Sequence, residues 1–164
     1  VDPCRSRRQH VPWPLDFDAR GWTLGILPFI QLWPGSVIRD VSRRCGSSVA
    51  KYVDQNGIGE TDIRLGASGN APVKGKYHIS ISIQPTFKAA DSELAIAREL
   101  TAKNGVIAIL TTLPWASRMI LAPDDVPAIY VLDGVFHGKT LAWFVWGPNR
   151  LKEVGTWQRL TKGK

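Results

Sequence analysis

The segment "KYHISISIQPTFKAADSELAIARELTAKNGVIAILTTL", residues 76 to 113, limits the fold more than any other stretch. "KYHISISIQ" alternates apolar and polar residues, which predicts a half-buried strand. Ile79, Ile81 and Ile83 share one face of it, and His78, Ser80 and Ser82 the other. "DSELAIARELTAKNG" predicts a helix capped by Asp91 or Ser92 and closed by Asn104-Gly105. "VIAILTTL" is a continuous apolar run suited to a buried strand. Two strands joined across a helix lie parallel, and a parallel pair needs cover on both faces. An α/β core around a mixed central sheet is therefore expected.

The flanks are read in the same way. "PWASRMILAPDD" predicts a short helix or irregular link. "VPAIYVLDGVFHGKTLAWFVWG" predicts a hairpin turning at Asp133-Gly134, and "NRLKEVGTWQRL" a closing helix. Upstream, residues 1–35 hold Pro3, Pro12, Pro14, Pro28 and Pro34 among Trp13, Trp22 and Trp33. Prolines at that density prevent a long helix or a central strand, so an extended arm that buries its tryptophans is expected. "SVIRDVSRRCGSSVAKYVDQNG" predicts one amphipathic helix over 36–56, capped by Ser36, with Cys45 on its apolar stripe and Gly46 weakening its middle. Residues 57–75 read as loop, with "DIRL" as a short strand. At 164 residues, with no internal repeat, one domain is expected. The start, Val1-Asp2-Pro3, reads as a trimmed end that hides any targeting segment.

From residue 76 onward the predicted order is strand, helix, strand, connector, strand, strand, helix. That order resembles the thioredoxin-like superfamily. The resemblance covers about residues 76–160 and rests on Pro127 before the first hairpin strand ("VPAIYV") and Gly147 after the second ("FVWG"). It implies a β-α-β-β-β-α core, carrying the Pro/Trp-rich arm and the extra N-terminal helix, with a proline at 127 that is usually cis. The redox members of that family carry a Cys-X-X-Cys pair where this chain has "QPTFKAADSEL", so the resemblance implies a redox-silent member. "SISIQP" followed by "VPAIYV" is also loosely similar to conjugative pilus-assembly proteins of the TrbC type.

Several residues are candidates for chemistry or contact. Cys45, His78 and Asp91 form the set that a Cys-His-Asp hydrolase or acyl transferase needs: a thiol, a base to take its proton and an acid to orient the base. Against it, a thiol inside a helix and on its apolar face is inert, or Cys45 bridges Cys4. His78 also lies on a polar strand face, where a surface role is the plain reading. Asp133, His137 and Lys139 offer an acid-base-electrophile set for a small nuclease, or simply turn chemistry. Trp143 and Trp146 lie on opposite faces of one strand, so one is expected in the core and the other at a contact surface. Lys74 and Lys76 sit in a Gly-rich loop without phosphate-loop spacing, and offer only an unspecific binding contact to phosphate.

The formal charge of +7 favours acidic partners, nucleic acid or another polyanion among them. Its basic clusters are scattered rather than gathered in one stripe. The longest apolar run, "GILPFIQLW", is too short to cross a bilayer. Two cysteines and three scattered histidines give no metal-ligand spacing, and no cofactor motif is present. Taken together, the expected function is a non-catalytic, redox-silent binding or assembly module with a protein partner, contacting it through Pro127, Trp143 and Trp146. A bacterial secretion or conjugation setting is favoured, as is export. The hydrolase and the nucleic-acid-binding protein or toxin nuclease stand as alternatives.

Overall fold

The parallel pair expected from residues 76–113 lies inside a seven-stranded sheet. The computed structural model describes residues 26–27, 30, 32–40, 46–65, 76–118, 125–132, 138–147 and 157–160. The strands are β1 (Val37–Asp40), β2 (Asp62–Leu65), β3 (Tyr77–Ile83), β4 (Thr101–Thr112), β5 (Ala128–Leu132), β6 (Leu141–Trp146) and β7 (Trp157–Leu160). Helix α1 (Gly46–Gln55) joins β1 to β2, α2 (Phe87–Leu100) joins β3 to β4, and a 3-10 helix (Leu113–Arg118) follows β4. The sheet order is β2-β1-β3-β4-β6-β5-β7. β2, β1, β3 and β4 are parallel, β6 runs antiparallel between β4 and β5, and β7 is parallel to β5.

Cores lie on both faces of the sheet. One gathers Val49 and Val53 of α1 with Ile38, Ile79, Ile81, Ile83, Leu110 and Trp143. The other gathers Ala90 and Ala97 of α2 with Ile107, Ile109, Trp115, Phe144 and Trp146. The isoleucines of β3 alternate onto the first face, as the period of two in "HISISI" requires. On the second face the Trp115 ring meets Phe144 edge-on, with centroids 4.9 Å apart.

The helix expected over 36–56 is two elements. Near its start, Val37–Asp40 form β1, which pairs with β2 and β3 at once: Ile38 lies opposite both Ile63 and Ile79. A short buried strand and a helical stripe place apolar residues at indistinguishable spacings here, and the ladder on both sides decides for strand. Gly46 opens α1 instead of weakening a longer helix. "DIRL" is β2, as expected.

α2 begins four residues before the expected cap. Thr86 is the cap: its hydroxyl accepts from the Ala89 N–H at 3.1 Å, from an extended backbone. The helix ends at Leu100, and the Lys103-Asn104-Gly105 stretch belongs to β4. The expected closing helix contributes β7 at 157–160, while residues 148–156 lie outside the described residues. Most of the 1–35 arm also lies outside them. Ile26, Leu27 and Ile30 are buried in the core, but Trp33 is 40% exposed rather than buried as expected of the arm.

The mixed α/β sheet and its hairpin are present, but the thioredoxin-like arrangement is not. β1 and β2 extend the parallel part of the sheet beyond β3, and a strand stands where the last helix was expected. No peptide bond among the described residues is cis, so the Val126–Pro127 bond is trans. No helix among them is long and apolar enough to cross a membrane.

Candidate functional site

From β1 the chain passes through α1 to β2 on one side, then returns to lay β3 on the other side of β1. Between β1 and β3, therefore, the connections leave in opposite directions, the arrangement that in open α/β sheets forms a crevice above the carboxyl ends. In open α/β sheets that is where ligands bind. Asp40, the last residue of β1, is fully buried at this point, opposite Ile81 of β3. Gln84 follows the end of β3 and is half-buried, and its N–H donates to the Leu110 carbonyl at 2.8 Å, which fixes the backbone there. Pro85 and Thr86 are exposed beside it and lead into α2.

A buried ion pair lies beneath the crevice on the α2 side. Arg39 donates to Glu93 through Nη1–Oε1 at 2.5 Å and Nη2–Oε2 at 3.3 Å. Arg39 and Glu93 are only 1% and 5% exposed. Arg39 precedes Asp40, and Glu93 lies on the buried face of α2, so the pair ties β1 to α2. Burial pushes the Glu93 carboxyl above its ordinary value of 4.5, more strongly than the hydrogen bond and charge of Arg39 pull it down. Ser82 Oγ and Thr111 Oγ1 are buried near the carboxyl ends of β3 and β4 without a hydrogen-bond partner among the described residues.

Of the residues singled out from sequence, those that the structure describes lie elsewhere. Cys45, Lys74, Asp133 and His137 are outside the described residues. His78 stands near the amino end of β3, where Nδ1 accepts from the Val37 N–H at 2.9 Å and the ring lies 5.2 Å from that of Trp33. Its Nε2 therefore carries the proton of the neutral ring. Asp91 lies on α2, and its Oδ1 accepts from Trp115 Nε1 at 2.8 Å, beyond the carboxyl end of β4. His78 and Asp91 thus belong to opposite ends of the sheet and form no catalytic pair. Lys76 and Lys139 are exposed. Pro127 is buried immediately before β5. Trp143 and Trp146 do occupy opposite faces, but both are buried, one in each core.

Asp40, Gln84, Arg39 and Glu93 are not among the site residues that the sequence points to. The sequence signal for Asp40 is an acid ending "VIRD" ahead of the small residues Gly46, Ser47 and Ser48, inside the span that periodicity marks as helical. Gln84 ended a correctly read strand, but its value depends on which strand lies beside it.

No family model matches the chain, and no curated protein does. Solved structures do. The fold is similar to that of a Listeria monocytogenes protein assigned as a class I S-adenosylmethionine-dependent methyltransferase, with a TM-score of 0.57 and 10% identity. That match covers 96% of this chain and 69% of the other. It is also similar to precorrin-6y C5,15-methyltransferase from Geobacter metallireducens GS-15, with a TM-score of 0.52 and 10% identity, over 76% of this chain and 87% of that one. These likenesses overturn the thioredoxin-like assignment and the redox-silent assembly module built on it, and they support neither the hydrolase nor the nuclease alternative. The fold is Rossmann-like, of the kind seen in class I methyltransferases.

Proposed function

We propose that the chain is a methyltransferase that binds S-adenosylmethionine in the crevice above β1 and β3. The observation that carries this reading is the doubly wound strand order, with a buried acid ending β1 and a polar residue following β3 at the point of reversal. The donor set suits the cofactor. A carboxylate at the end of β1 accepts from ribose hydroxyls or an ammonium group. The turn after β1 holds one glycine, Gly46, and lacks the three-glycine fingerprint that brings backbone against a pyrophosphate. A nucleoside without phosphates fits that turn better than a dinucleotide.

When bound, S-adenosylmethionine supplies a methyl group on a sulfonium, already activated for transfer. The protein's part is then to orient donor and acceptor and to exclude water, which accounts for a large share of the rate in such reactions. Asp40 serves the cofactor side and Gln84 the acceptor side, since its amide can both donate and accept. Arg39 and Glu93 act through the backbone as positioning residues.

Isothermal titration with S-adenosylhomocysteine tests the proposal. The protein is expected to bind one equivalent, and Asp40→Asn to weaken binding about tenfold, the effect of one lost charge-assisted hydrogen bond. Absence of binding by the folded wild-type chain overturns the reading.

A further inference from the structure

A cavity of about 410 Å³ opens at the amino end of β4, at the other end of the sheet from Asp40. Its wall is the α2 C-terminus, the first residues of β4 and the end of β6. Thr101 of β4 pairs with Tyr77 and Val106 with Ile79, so four residues, 102–105, face His78 alone. Bulges of this kind re-aim side chains and gather beside binding sites. Gly105 makes this one possible: a Cβ there would come 2.6 Å from the His78 carbonyl oxygen.

The lining has two characters. Ile107 and Trp146 lie opposite each other on β4 and β6 and offer an apolar, partly aromatic wall. Arg98 and Asp125 form an ion pair at the rim, and the Asp125 carbonyl accepts from Trp146 Nε1 at 2.9 Å. That pair is neutral in sum, which leaves the exposed Lys103 as the excess charge of the lining. Its volume falls within the range of small-molecule pockets, about 300–1,000 Å³.

We infer that this cavity binds a small planar organic anion, such as an aromatic carboxylate. The flat body lies against Trp146 and Ile107, and the charge is met by Lys103. The site is separate from the crevice, so the inference stands or falls independently of the methyltransferase reading.

Titration of the ¹⁵N-labelled full chain with 1-naphthoate, followed by amide and indole resonances, tests it. Saturable shifts are expected at the Trp146 indole and the Gly105 and Gly147 amides. Lys103→Glu, an exposed substitution, is expected to weaken binding about tenfold while the rest of the spectrum is unchanged. S-adenosylhomocysteine at saturation should leave the naphthoate affinity unchanged. Shifts that miss these groups, shifts scattered over the surface, or equal affinity in Lys103→Glu would each overturn the inference.

Discussion

Glu93 is a buried carboxyl group, and among the described residues it is compensated by the two-point contact with Arg39. Removing one partner strands the other, so Glu93→Ala should destabilise the fold by about 3–5 kcal/mol in chemical denaturation. Replacing both with apolar residues of similar shape should recover most of that loss. The pH dependence follows from burial. A carboxyl whose folded pKa is raised binds its proton more readily in the folded state than in the unfolded chain. The stabilisation is therefore complete below the ordinary value of 4.5 and declines as pH rises through the folded value. Glu93→Gln should flatten that decline, as read from denaturation midpoints at a series of pH values. Gly105 offers a steric counterpart: Gly105→Ala would press a methyl against the His78 carbonyl and Thr101, and should cost about 1–3 kcal/mol. Neither effect was legible in sequence. Glu93 falls within a predicted helix with no sign of its buried partner, and Gly105 reads as a stop signal.

At the scale of elements, local patterning located most of the second half. The alternation in "HISISI" and the run "VIAILTT" became β3 and β4, and the hairpin strands became β5 and β6. Boundaries moved where a cap lay outside the apolar pattern. Thr86 sits one residue after Pro85 and closes on Ala89, so Thr86→Ala should lower stability by about 1 kcal/mol. Circular dichroism should show the loss in helix signal near the melting transition. β1 is the informative miss. Val37, Ile38, Val41, Cys45 and Val49 satisfy a helical period, yet Val37–Asp40 gains a hydrogen-bonded neighbour on each edge as a strand. A four-residue strand has too few positions for its own period to declare itself.

For the whole molecule, the position of β1 converts a parallel pair into a doubly wound sheet and creates the crevice. Ligand binding there should be visible as linkage. S-adenosylhomocysteine at a hundred times its Kd should stabilise the protein by about 2.7 kcal/mol, a rise in Tm of roughly 5–11 °C. Differential scanning fluorimetry would read it, and Asp40→Asn should shrink the shift. By itself the sequence determined the α/β class, the parallel β3–β4 crossover and the β5–β6 hairpin, because each depends on contacts between neighbours along the chain. Tertiary structure alone decided that β1 and β2 join the sheet, that β6 lies between β4 and β5, and that Asp40 and Gln84 stand at the ends of neighbouring strands. Those outcomes depend on hydrogen bonds and burial between segments far apart in sequence, for which local periodicity carries no information.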